Sequence, residues 1–214
     1  MPRTALVAGA TGMVGGLLLR QLAAGSDYAE VRVLGRRPPA QEHPKLRFVA
    51  TDFNDLDKHA AALAVDDVFC CLGTTIRQAG SRPAFERVDF HMVVDLARAA
   101  RKAGAKRFLV VSSVGASERS PAFYSRVKGR MEQAVAAVGF EAVHIVRPSL
   151  LLGARDEHRP GEKLAQFAAP LLSPLLAGPL KKYRAVDGNA VASALLQLAR
   201  RPDRGVHVHH LPLK

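Results

Sequence analysis

The 214-residue chain has no tryptophan, three tyrosines and two cysteines, and its 19 acidic residues face 31 basic ones. Each shortage excludes something. Cys70 and Cys71 are neighbours in an apolar run, whereas a disulfide framework needs several separated cysteines, so a reducing compartment fits and a cytoplasmic location is expected. Long uninterrupted apolar runs are missing too. Ala5 to Leu19 contains four glycines, and Leu164 to Leu180 is broken by Pro170, Ser173, Pro174 and Pro179. The second run is shorter than the roughly 20 apolar residues a membrane helix needs, so no membrane association is expected. The 17 glycines and 13 prolines are dispersed, and 48% of residues are hydrophobic, which excludes a collagen-like chain and wholesale disorder.

The net charge of +12 raises the question of anionic partners. Residues 51–100 carry 5 basic and 8 acidic residues and residues 101–150 carry 9 and 3, while neither end forms a homogeneous basic arm. Specific nucleic-acid binding is therefore not expected. Attraction to phosphorylated small molecules, or simple solubility, explains the charge as well.

Read in order, short apolar runs alternate with helical spacing. Thr4 to Ala8, Val31 to Gly35, Leu46 to Asp52, Val68 to Leu72, Arg107 to Ser112 and Ala142 to Pro148 read as strands. Val14 to Leu22, Asn54 to Leu63, Phe85 to Ala103 and Tyr124 to Val138 read as helices, closed in several cases by glycine. The class is α/β, a doubly wound parallel sheet over residues 1–148. In the tail, 164–177 reads as an apolar helix, Asn189 to Arg200 as an amphipathic one and Val206 to Leu211 as a terminal strand. Without a clean linker the whole chain is one domain, with 149–214 as a short cap on the substrate side.

Gly9, Gly12 and Gly15 stand at the first, fourth and seventh positions of a turn between strand and helix, a spacing suited to a dinucleotide. The first permits a tight turn, the second lets backbone approach a pyrophosphate, and the third allows close helix packing. Thr11, Met13 and Val14 complete the loop and the helix start, where the dipole favours phosphate. After the second strand an NAD site commonly offers an acid to the adenosine ribose. Here Arg36 and Arg37 follow Gly35 instead and present guanidinium groups to a 2′-phosphate, so NADP(H) is favoured; the alternative is a pair of solvated loop charges. Asp52, with the backbone of Phe53, is placed to face the adenine edge, unless it caps the helix after it.

Ser113 ends a strand, and Tyr124 and Lys128 lie four apart on the next helix. That spacing sets phenol and ammonium on one face, where the cation favours phenolate and the serine holds a carbonyl oxygen. Alone, this pattern is more often that of a packing tyrosine and a solvent lysine. Together with the glycine turn, the segment Cys71 to Thr74, the pair Ser112 and Ser113, Tyr124 to Lys128 and Val146 to Pro148, however, the chain resembles the short-chain dehydrogenase/reductase superfamily. More narrowly, Cys71 to Gly80, Arg87 to Asp89, Val110 to Ala116 and the segments around Tyr124 and Pro148 are similar to its atypical branch.

The resemblance implies a Rossmann fold with NADP(H) and a catalytic set of Ser113, Tyr124 and Lys128, with Ser112 the competing serine. Tyr124 and Lys128 would also touch cofactor, Cys71, Leu72 and Gly73 would pass its ribose, and Pro148 and Ser149 would lie near nicotinamide. The expected function is NADPH-dependent oxidation or reduction of a small carbonyl or secondary alcohol. Alternatives are an NADPH-binding regulatory or protein-interaction protein and, further off, a sugar-nucleotide epimerase or dehydratase, whose substrate portion is longer than this tail. A homodimer through the two long middle helices is compatible with the superfamily. No metal is expected: His207, His209 and His210 crowd a strand without an acidic or cysteine ligand nearby.

Overall fold

The computed structural model describes residues 3–149, 151–152 and 185–213. β1 (Arg3–Ala8) turns into α1 (Met13–Ala24), followed by β2 (Tyr28–Gly35) and β3 (Leu46–Ala50). A tight helical turn, Leu56–His59, runs into α2 (Ala60–Leu63) and then β4 (Asp67–Cys70). Next come α3 (Ile76–Ala79), α4 (Arg82–Glu86), a π-helical turn (Arg87–Met92) and α5 (Val93–Lys102). β5 (Arg107–Val111), α6 (Phe123–Ala136) and β6 (Ala142–Arg147) complete the first 149 residues. β7 (Leu151–Leu152), β8 (Val186–Asp187), α7 (Gly188–Ala199) and β9 (Gly205–His210) follow.

Seven strands form one sheet in the order β3-β2-β1-β4-β5-β6-β9, and every pairing is parallel. The doubly wound Rossmann architecture is thus present, with its switch point between β1 and β4. Side chains alternate along each strand, so both faces need cover. Leu6, Ala8, Val68, Cys70, Phe108, Val110, Val143 and Ile145 pack against Leu96, Ala97 and Ala100 of α5 and Met131 and Val135 of α6. Ala5, Val7, Phe69, Leu109 and Val146 pack against Leu18, Leu19 and Leu22 of α1 and Val191, Leu195 and Leu198 of α7. Each fully buried Leu or Val contributes roughly 1.5–3 kcal/mol of transfer free energy, so these two layers dominate the stabilisation.

At the amino edge of the sheet, Asp67 is fully buried and gathers Tyr28 Oη (2.6 Å), Arg3 Nη1 (3.2 Å) and Arg107 Nε (2.5 Å). Burial first, and then the adjacent carboxylate, push the Tyr28 hydroxyl well above its ordinary pKa. This cluster joins the starts of β1, β2, β4 and β5 and lies at the edge opposite to the one where such sheets bind ligands.

Several elements differ from the sequence reading. The single helix expected over Phe85–Ala103 is α4, a π turn and α5; one extra residue per turn is invisible to hydrophobic spacing. The helix expected over Asn54–Leu63 is shorter because Asn54 is drawn into side-chain bonds with Asp52 and Arg87. The described part of the tail, read from the sequence as a cap, is built into the body of the fold. α7 lies beside α1, with Ser193 Oγ 3.1 Å from Gln21 Oε1, and β9 extends the main sheet. The helix expected at 164–177 lies outside the described residues.

Candidate active site

The strand ends bring the expected cofactor residues to one edge. Gly9 has φ +85°, and a methyl group placed on it would lie 2.5 Å from the Cys71 carbonyl oxygen. Cys71 N–H in turn donates to Ala8 O at 2.8 Å, so the glycine turn and the segment Cys71–Gly73 are laid side by side. A methyl on Gly15 would stand 2.2 Å from Gly9 O, which is why α1 can start so close to its strand. α1 begins at Gly12 without a side-chain cap and with no acid in its first turn. Its first amides are therefore available to an anion. Thr11 is exposed and Met13 partly so, whereas Val14 is buried against the α1–α7 layer.

Gly35, Arg36 and Arg37 leave β2 next to this turn. Both arginines are exposed and have no ion-pair partner among the described residues. Thr51 N–H donates to Gly35 O at 2.9 Å, which sets the loop after β3 beside them. Asp52 accepts from Asn54 N–H (3.0 Å) and Nδ2 (2.7 Å), and these bonds hold its carboxyl below the usual range. Phe53 has φ 65° with its ring in the core, so its backbone is what it can offer a ligand.

The two serines part company. Side chains of adjacent strand-end residues point to opposite sides. Ser112 Oγ donates to Glu132 of α6, and Arg147 Nε donates to the same carboxylate at 2.9 Å. Ser113 Oγ is buried without a hydrogen-bond partner among the described residues, and an unmet buried hydroxyl is costly. Val114 N–H donates to Pro148 O at 2.8 Å, so Pro148 and Ser149 reach the same edge.

α6 presents Tyr124, Lys128 and Glu132 on one stripe. The Tyr124 ring lies 5.4 Å from that of Phe85 and remains 37% exposed, whereas Lys128 is buried. Burial pulls the Lys128 pKa down, but the Asp89 carboxylate and then Tyr124 outweigh it and hold it above the ordinary lysine value. The helix sits close because Gly129 lies against the backbone of Ser117 and Glu118. Asp89, within the Arg87–Asp89 segment of the resemblance, and Glu132 are both buried, and neither is assigned a site role from the sequence. Cys70 also lies beneath, its thiol pushed up to about 12 by burial and hence unreactive.

The site thus fits a dinucleotide: an uncapped helix start, a glycine cradle and an orphaned serine hydroxyl share one edge. His207 stacks on buried His144 and His209 lies tilted against it, a partner the sequence reading missed, since it lies on β6. Among the described residues no group of three or more His, Cys, Asp or Glu is arranged to hold a metal. No helix among them is long and apolar enough to cross a membrane.

Comparison with known proteins matches residues 9–166 to a family described as NAD(P)H-binding. The rat protein HTATIP2 (Rattus norvegicus) is 38% identical over 168 residues, 77% of this chain and 69% of that protein. The protein fmp52, mitochondrial, of Emericella nidulans is 37% identical over 179 residues, 80% of this chain and 76% of that one. Among solved structures, the dTDP-glucose 4,6-dehydratase DesIV from Streptomyces venezuelae with NAD bound superimposes with a TM-score of 0.69 at 22% identity, covering 97% of this chain and 75% of that chain. At that identity the likeness shows the fold. The expectation of a cytoplasmic location is corrected by the relatives: several fungal ones carry mitochondrial in their names.

Proposed function

From the premise that the chain belongs to the NAD(P)H-binding family, we propose that it is an NADPH-dependent oxidoreductase acting on a small carbonyl or secondary alcohol. One observation supports the reading above others: an exposed phenol, Tyr124, stands one helical turn from a buried cationic lysine, while the adjoining strand end holds the Ser113 hydroxyl, which has no partner among the described residues. When bound, the cofactor supplies or accepts the hydride. The protein residues handle the rest. In reduction, Ser113 donates a hydrogen bond to the carbonyl oxygen, and Tyr124 transfers its phenolic proton to that oxygen as negative charge develops there. Lys128 holds the ribose hydroxyls and keeps positive charge beneath the phenol. Oxidation runs the same transfers backwards.

Preference for the 2′-phosphate rests on Arg36 and Arg37, which are exposed at the end of β2 with no acid beside them in sequence. Planar guanidinium groups suit phosphate oxygens. The test is a panel of aldehydes, ketones and quinones, followed by Tyr124→Phe. Wild type should oxidise NADPH with some of them, and the variant should lose about 10²–10⁴-fold in turnover while NADPH affinity stays within a few-fold. Turnover that survives Tyr124→Phe unchanged overturns the assignment of the proton donor.

A further inference from the structure

Asp89 sits in the π turn and is fully buried. Its Oδ1 lies 2.8 Å from Lys128 Nζ, and its Oδ2 accepts from Thr74 N–H at 2.8 Å. The carboxylate therefore ties α6 to the loop after β4, the same loop that runs beside the glycine turn. Gly73 lies over the pair: a methyl placed there would be 3.5 Å from Asp89 Oδ1 and 3.8 Å from Lys128 Nζ, and Gly73 itself is exposed. With no side chain at that position, a ligand hydroxyl can come down onto the ammonium. A lysine and an aspartate taken out of water together are an expensive arrangement, seldom favoured over an apolar pair for stability alone. Its placement under the cofactor edge gives it another use.

We propose that Asp89 is a positioning residue for the cofactor: it keeps Lys128 a fixed cation, aimed through Gly73 at the ligand and tied by Thr74 to the loop beneath it. The inference rests on the reading of the protein as an NADPH-dependent oxidoreductase. Groups facing the ammonium are Asp89 from the π turn, Tyr124 from its own helix and the Cys70 thiol from β4. Glu132, one turn further along α6, is engaged by Ser112 and Arg147. Asp89 is thus the carboxylate that offsets the desolvation of Lys128. Without it, burial is opposed only by Tyr124 and Cys70, and the lysine gives up its proton at a lower pH than in wild type.

The experiment is NADPH titration of wild type and Asp89→Asn at several pH values between 7 and 9.5. Expected is weaker binding by the variant at pH 7 and a variant-to-wild-type ratio that widens about ten-fold by pH 9.5, with Asp89→Glu restoring most of it. A purely structural role gives a ratio that does not change with pH, and that result overturns the proposal. So does equal affinity throughout. If wild type binds no NADPH at any pH, the functional reading fails and the inference falls with it, a result distinct from either of those. Should Asp89→Asn not fold, Asp89→Asn/Lys128→Met leaves no lone charge and is compared with Lys128→Met alone. If Asp89 acts through Lys128, the two bind NADPH within about two-fold of each other; a further loss in the double variant overturns the proposal.

Discussion

Gly129→Ala is a substitution for which helix propensity and tertiary packing demand opposite outcomes. In an open helix interior, replacing glycine by alanine stabilises by roughly 0.5–1 kcal/mol. On α6 the added methyl would stand 2.2 Å from the Ser117 carbonyl carbon, 2.3 Å from Glu118 N and 2.6 Å from Ser117 Cα, against 3.4 Å or more for ordinary contact. All three are backbone atoms, so rotation of a side chain cannot relieve the clash. The segment must retreat by more than about 1 Å, an overpacking strain of about 1–3 kcal/mol. Retreat also stretches Ser117 N–H to Ser125 O, now 3.1 Å, a bond worth about 1 kcal/mol. After the propensity gain, a net loss of about 2 kcal/mol remains. Gly139→Ala is the control. It has room, with nothing within 4 Å, but φ +87°, so its cost is backbone strain alone, about 1 kcal/mol after the unfolded-state gain. With no tryptophan in the chain, urea unfolding is best followed by far-ultraviolet circular dichroism. A Gly129→Ala protein as stable as wild type would refute the close-packing argument.

Three further outcomes are expected. Replacing Arg36 and Arg37 together by alanine should narrow any preference for NADPH over NADH measured by calorimetry, and an unchanged preference removes them from the phosphate site. Asp67→Ala strands Arg107 and Tyr28 and takes one partner from Arg3, and should cost about 3 kcal/mol in urea unfolding; a loss under about 1 kcal/mol would show that the cluster is incidental. Burial, followed by the fields of His209 and His207, lowers the His144 pKa to about 4 from 6.5. Because the folded value lies below the unfolded one, its contribution is complete above pH 6.5 and is lost as pH falls towards 4. Stability should thus drop by about 2 kcal/mol between pH 7 and 5 from this group, and His144→Gln should flatten that drop.

The parts of the molecule legible in the sequence are those governed by neighbours in the chain. The apolar run Thr4–Ala8, the glycine spacing after it and the helix to Leu22 announce β1, its turn and α1, because each needs only local pattern. Tyr124 and Lys128 are legible for the same reason, since four residues make one helical step. The pairing of β9 with β6 is not, because VHVHH says strand without saying which strand lies beside it. Nor is the engagement of Ser112 by Glu132, a carboxylate that Arg147 also holds, since both partners come from other elements. The segment Arg87–Asp89 stands out in the sequence, but the burial of Asp89 against Lys128 does not, for a regular helix over Phe85–Ala103 does not predict the π turn that places it.

The position of β9 also sets the order in which the protein can be completed on the ribosome. Ala142 pairs with Gly205 and Arg147 with His210, so one edge of the sheet waits for a strand that is translated well after its partner. Until then β6 offers open backbone donors and acceptors along a strand whose Val143 and Ile145 are otherwise interior. A nascent or prematurely terminated chain that stops before Gly205 therefore carries a sticky flank, and its fate is decided by aggregation and chaperone capture more than by the few kcal/mol of packing it lacks.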